Sequence, residues 1–152
     1  MTETVNMKDA LQMIVTNLSQ QADGHMLESR ILGAAGYGKL ADKYAEHAEE
    51  ERGYVTKITD RMLDLGFDVK NEAKPAMPVC SDPVEWIKAD LQISKDGLAL
   101  LGKILIAAHN DVTTFDILKD YYKDEEEDMY WGEQQIELIE KIGLQNWLVM
   151  QI

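Results

Sequence analysis

The sequence predicts an all-α protein: four long helices in a bundle, one long crossover connection, and a short fifth helix at the C-terminus. Over four stretches of the 152-residue chain, apolar residues recur at three- and four-residue steps, the spacing of one helix face. Only three prolines are present, so few positions interrupt these stretches. Short turn signals separate the stretches except at 67–82, which is long enough to be a crossover.

The first two helices are predicted over 7–34 and 39–65 and should form an antiparallel hairpin. The turn between them is Gly36-Tyr37-Gly38, and Gly66 ends the second helix as a C-cap. Short turns place consecutive helices antiparallel. One face of the first helix is traced by Leu11, Ile14, Val15, Leu18, Ala22, His25 and Ser29.

The third and fourth helices are predicted over 83–109 and 114–142, with a final short helix over 144–152. Asp82-Pro83 starts the third helix with an acidic cap followed by proline at the first helical position. Thr113 or Thr114 is expected to cap the fourth helix, which stops at Gly143. A 27-residue helix is about 40 Å long, and 16 extended residues reach about 50 Å. The crossover can therefore run back along the bundle and join two helical hairpins.

Composition excludes several classes of function. The net charge of −13 argues against a nucleic-acid-binding surface, which needs clustered Lys and Arg, and most of the acidic charge is expected to solvate the surface. Cys80 is the only cysteine, so no disulfide is expected and the cytoplasm is the natural setting. The N-terminus lacks the pattern of a secretion signal, and no apolar run is long enough to span a bilayer.

Two acidic residues, Glu51 and Glu125, interrupt the apolar stripes of the second and fourth helices, and Asp128 lies one turn beyond Glu125. Burying a carboxylate is costly unless a cation or hydrogen-bond donors meet it. In helical bundles a metal ion held between facing helices often does so. The neighbouring acids Glu49, Glu50, Asp124, Glu126 and Glu127 are predicted to face solvent.

The chain resembles the bacterioferritins over nearly its whole length. The resemblance is carried by Asp60 to Gly66, Asp90-Leu91, Asp96-Gly97, Lys123 to Glu126, Trp131, Ile139 to Leu148, and Gln151-Ile152. It implies a single ferritin-like domain over 1–152, a homo-oligomeric cage, oxidation of ferrous iron at a di-iron centre, and storage of the ferric mineral.

The di-iron ligands that the resemblance implies are mostly missing. Only Glu51 and Glu125 match, and the other four positions hold Leu18, Tyr54, Ser94 and Asp128. Two irons need about four carboxylates together with nitrogen donors, so ferroxidase activity is expected to be slow or absent. The family's haem-ligating methionine is replaced by Arg52, so haem is not expected.

Two interpretations of the polar residues remain open. In the first, His25 and His47 replace the missing imidazoles, and Glu51, Glu125, Asp128, His25 and His47 form a relocated site for iron, zinc or manganese. In the second, the histidines are hydrogen-bonded core residues and Tyr54 donates to Glu51 or Glu125.

These alternatives give two hypotheses for function. The chain is either an iron-binding and iron-storage cage subunit with an altered centre, or a structural ferritin-like protein without metal chemistry. A DNA-protecting mini-ferritin fits the acidic composition poorly. The apolar run from Leu98 to Ala108 is expected to be either fully buried or at a subunit interface, and an exposed Trp147 and Leu148 are expected at an interface.

Overall fold

The computed structural model describes residues 4–152 and confirms the predicted all-α bundle with a short fifth helix. The described part contains five helices and no strand. Their bounds are α1 Met7–Ala34, α2 Gly38–Asp64, α3 Pro83–Ala107, α4 Val112–Ile142 and α5 Leu144–Val149. Among these helices, none has a stretch both long and apolar enough to cross a membrane.

The caps explain where the helices begin. Asp82 accepts hydrogen bonds from the backbone N–H groups of Val84 and Glu85, as the sequence predicted for α3. The predicted cap of α4 at Thr113 or Thr114 is wrong, because Asp111 is the cap and the helix starts at Val112. The carboxylate of Asp111 accepts from the backbone N–H of Thr114 at 3.1 Å and also binds Arg61 of α2 at 2.8 Å.

The long connection follows α1, as the crossover topology requires. Its backbone is fixed to α1 by glutamine side chains: Gln12 Nε2 donates to the Lys70 carbonyl at 2.9 Å, and Gln20 Nε2 to the Pro75 carbonyl at 2.7 Å. At Gly24, the side chain of Met77 occupies the space that a Cβ atom would need. The connection therefore covers α1 closely along its length.

The core consists of two apolar clusters with a polar layer between them. The first is built around Leu11, Ile14, Ile58, Met62, Leu101, Ile104 and Leu118. The second is built around Leu32, Leu40, Tyr44, Trp86, Ile87 and Trp147. Along each of α1, α2 and α3, the buried polar residues fall between the residues of these clusters: His25, Glu51 and Ser94.

The expected exposure of Trp147 is wrong. After Gly143, which has φ 84°, α5 folds back and places the Trp147 ring in the second cluster with none of its surface exposed. Its indole N–H donates to Gln135 Oε1 at 2.9 Å, which satisfies the one polar atom of the ring. Leu148 is partly buried. The apolar surface at this end is instead formed by Leu144, Val149, Met150 and Ile152.

Candidate functional site

All four long helices contribute polar side chains to the layer between the apolar clusters. They are His25 and Glu28 from α1, His47, Glu50 and Glu51 from α2, Asp90 and Ser94 from α3, and Asp124, Glu125 and Asp128 from α4. The layer also contacts Tyr44, Trp86 and Trp131, whose rings pack against the two histidines with centroid distances of 5.4–6.1 Å. Several ionisable groups therefore lie in a mostly apolar surrounding.

His25 is held by a carboxylate at each ring nitrogen. Its Nδ1 contacts Glu51 Oε1, and its Nε2 lies 2.8 Å from Asp90 Oδ1. A neutral imidazole donates through only one nitrogen, so two carboxylate partners favour the protonated ring. Burial acts to lower the pKa of His25, but the hydrogen bonds and charges of Asp90 and Glu51 outweigh it and raise the pKa to about 10.

The two acids that the sequence placed on apolar stripes are both buried. Glu51 is 2% exposed and Glu125 is 5% exposed. Burial raises the pKa of Glu51 to about 7, although the hydrogen bond from His25 acts in the opposite direction. Burial also raises the pKa of Glu125, and the Ser94 hydroxyl partly offsets this.

His47 has a different environment from His25. Its Nε2 lies 3.3 Å from Asp128 Oδ1, but neither ring nitrogen has a partner in hydrogen-bond geometry within the described chain. Burial, followed by the charges of His25 and Lys43, lowers the pKa of His47 to about 3, so the ring is neutral. Burial and the charge of Glu125 raise the pKa of Asp128 to about 8.

Next to His47, three carboxylates converge on the α2–α4 side of the bundle. Oxygens of Glu50, Asp124 and Asp128 all lie within 4.8 Å of one another. The prediction that Glu50 and Asp124 face solvent is wrong, since both are half-buried where α2 and α4 pack together; Glu126 is also half-buried, whereas Glu49 and Glu127 are exposed as predicted. Burial and the charge of Asp124 raise the pKa of Glu50 to about 7.

The five predicted metal ligands therefore lie in one layer but have different partners. His25 and Glu51 bind each other and, through His25, Asp90 of α3. His47 and Asp128 lie on the α2–α4 side, beside the three-carboxylate group. Glu125 lies close enough to both Glu51 and Asp128 for its charge to raise their pKa values. Among the described residues, the three-carboxylate group is the one set of three or more potential ligands with such close spacing.

Two acids of the polar layer, the partly buried Asp90 and the buried Glu28, were not identified from the sequence. Asp90 lies one turn before Ser94 on α3, and Glu28 lies between His25 and Ser29 on the buried face of α1, so helical spacing could have found both. Glu28 is fully buried, and neither carboxylate oxygen has a hydrogen-bond partner in residues 4–152. Burial raises its pKa to about 7.

The expected role of Tyr54 is wrong. Its hydroxyl donates to the backbone carbonyl of Asp120 at 3.3 Å and not to Glu51 or Glu125. This contact lies nearly a turn of α2 beyond Glu51, where the side chain is only half-buried. The hydrogen-bond donor to Glu51 is His25.

Comparison with known proteins gives a consistent picture over most of the chain. The family model described as Ferritin-like domain matches residues 8–142. The chain is 33% identical over 147 residues to the Bacterial ferritin of Pseudomonas aeruginosa, which covers 95% of each chain. It is 34% identical over 133 residues to the Bacterial ferritin of Neisseria meningitidis serogroup B, covering 86% of each. It is 26% identical over 140 residues to the Bacterioferritin of Mycobacterium tuberculosis, covering 89% of this chain and 88% of the relative.

Proposed function

Because the chain belongs to the ferritin-like domain family, we propose that it is an iron-storage subunit that assembles with its own copies into a cytoplasmic cage. The alignment with the Pseudomonas aeruginosa relative leaves only 5% of either chain uncovered, which supports a common architecture. The net charge of −13 suits a container for cations.

The intrasubunit centre is altered in this proposal. Leu18, at one expected ligand position, is apolar and 1% exposed. Ser94 offers a hydroxyl in place of a carboxylate, and the Tyr54 hydroxyl is engaged by Asp120. Glu51, one of the two matching acids, is already bound by His25. These side chains do not fit two bridged irons, so rapid oxidation by a dinuclear centre is not expected.

Iron is instead taken up as cargo on the α2–α4 side, by Glu50, Asp124 and Asp128 with His47 behind them. The observation that carries this is the convergence of three carboxylates within 4.8 Å beside a buried imidazole without a hydrogen-bond partner in the described chain. Carboxylate and neutral imidazole are suitable ligands for ferrous iron. Of the five ligands predicted from the sequence, Asp128 and His47 serve in this arrangement, while His25 binds Glu51.

Aerobic iron loading of the assembled protein tests the proposal. The double variant Glu50→Gln/Asp124→Asn should retain much less of the iron added at low ratios per subunit. The matched control Glu126→Gln/Glu127→Gln removes the same charge from the same region but not from the carboxylate group. Equal iron contents for the two variants would contradict the proposed position, and an iron-free wild-type protein would contradict storage itself.

One observation favours the second hypothesis, a structural protein without metal chemistry. His25 hydrogen-bonds two carboxylates at once, so both of its ring nitrogens have partners without a metal ion. In that case the melting temperature should respond neither to a chelator nor to added divalent metal. A lower melting temperature with a chelator, abolished by Asp128→Asn, supports the metal-binding protein instead.

A further inference from the structure

A large cavity lies between α1, α3 and the crossover and reaches Tyr121 and Glu125 of α4, but no member of the three-carboxylate group lines it. Its volume is about 740 Å³, which is in the range of ordinary small-molecule sites. The crossover forms one rim through Lys74, Met77 and Cys80, and it is fixed in place by its hydrogen bonds to α1. The cavity spans Met13 to His25 on α1, a length of about 18 Å at the rise of an α-helix.

The two ends of the cavity differ in chemistry. One end is mostly apolar and is lined by Met13, Ile14, Leu18, Leu100, Leu101 and Ile104, with Asn17 and Asp96 as its polar neighbours. The other end is polar and is lined by His25, Trp86, Asp90 and Glu125. An elongated molecule with an apolar tail and a polar head matches this division.

The charges of the residues that line the cavity favour a cationic head group. Four carboxylates line the cavity, at Glu85, Asp90, Asp96 and Glu125, against Lys74 and His25 as cations. Asp90 uses Oδ1 to bind His25, and its second oxygen has no hydrogen bond within the described chain. An anionic head would be repelled by these carboxylates, whereas an ammonium head would be attracted to them.

We propose that this cavity binds an organic amine with an apolar tail, with the ammonium group at Asp90 and the tail along Leu18 and Leu101. The tail removes apolar surface from water, and the ammonium adds a charge-assisted contact to the free oxygen of Asp90. The proposal is independent of iron storage, because none of the Glu50, Asp124 or Asp128 carboxylates lines the cavity.

Calorimetric titration of the assembled, metal-free protein with dodecylamine, below the concentration at which the amine forms micelles, tests the proposal. One amine per subunit should bind, and dodecanoate should bind at least about tenfold more weakly. Asp90→Asn should weaken amine binding by a similar factor. The control Asp68→Asn, on the exposed part of the crossover and outside the cavity lining, should not weaken it.

A second variant tests the site without removing Asp90, which is also a partner of His25. Gly97 lines the cavity, and a Cβ atom added to it would have no neighbouring atom within 4 Å, so the larger side chain of Gly97→Leu should occupy part of the cavity without a clash at its Cβ. Loss of amine binding in Gly97→Leu supports the site. The proposal is overturned if dodecanoate binds as well as the amine, if binding does not saturate, or if Gly97→Leu binds the amine like the wild type.

Discussion

At the scale of single residues, His25 acts as an internal cation for the polar layer. The groups that face it are Glu51 of α2 and Asp90 of α3, with Glu28 on its own helix and His47 nearby. Its folded pKa of about 10 lies above the ordinary 6.5. Its contribution to stability is therefore complete below about pH 6.5 and is lost as the pH rises through about 10.

His25→Ala should lower the free energy of unfolding by about 3–5 kcal/mol near neutral pH, because the buried Glu51 and the partly buried Asp90 lose their partner. Denaturant unfolding measures this loss. ¹⁵N spectra of histidine-labelled wild type should show both ring nitrogens of His25 protonated near pH 7.5, about a unit above the ordinary pKa of histidine. A neutral ring at that pH would contradict the role of His25 as a cation.

Glu28, like His25, should make the protein less stable as the pH rises. Because burial raises its pKa from 4.5 to about 7, its ionisation costs stability as the pH rises from below 4.5 to above 7. Glu28→Gln should therefore stabilise the protein at about pH 8 relative to about pH 5, by about 1–3 kcal/mol. Urea unfolding at both pH values measures the difference. Glu127→Gln on the α4 surface is the control, and an equal response of both variants would count against this account.

Arg52 gives a prediction about haem. Its side chain is 53% exposed and forms an ion pair with Asp23 of α1, and it has no thioether to ligate iron. The purified protein should therefore show no Soret band. Arg52→Met should permit weak haem binding if the replacement at this position is what prevents it, and a stoichiometric Soret band in the wild type would contradict the expectation.

At the scale of helices, the start of α4 depends on a contact that the local sequence does not reveal. Asp111→Ala should cost about 1–2 kcal/mol, since it removes both the cap and the bond to Arg61. Thr113→Ala, at one of the residues predicted as cap, should change stability by less than about 0.5 kcal/mol. Thermal unfolding compares the stability of the two variants directly. Equal losses of stability would contradict the role of Asp111 as the cap.

The helices could be predicted more accurately than the contacts between them. Apolar spacing and turn signals gave α1 its bounds and placed the other helix starts within two residues, because these signals are local, although the predicted cap of α4 was wrong. The partners of His25 depend on how α2 and α3 pack around α1, which a single sequence does not specify. For the same reason, Glu50 and Asp124 looked like solvent-facing residues of separate helices until the packing brought them together.

At the scale of the whole molecule, the two apolar clusters hold the bundle together on either side of a polar layer. Most apolar burial therefore lies outside the layer, at Leu11 and Leu118 on one side and at Leu32 and Trp147 on the other. This arrangement lets the chain keep ionisable residues between the clusters. The same fold accommodates an apolar Leu18 and the hydroxyl of Ser94, both of which are buried.

Assembly gives the last prediction. Deleting 143–152 would remove the buried Trp147 along with any interface, so surface substitutions are the sharper test. Val149 and Ile152 are 67% and 68% exposed and form part of the apolar surface of the C-terminal end. A cage would cover this surface with neighbouring subunits, since contiguous exposed apolar patches usually mark interfaces.

Val149→Glu/Ile152→Glu should therefore shift sedimentation to smaller particles while the subunit stays helical by circular dichroism. Leu63→Glu, at a residue of α2 that is 59% exposed and lies apart from this surface, is the matched control. An unchanged particle in the double variant would show that the C-terminal surface does not hold the assembly together.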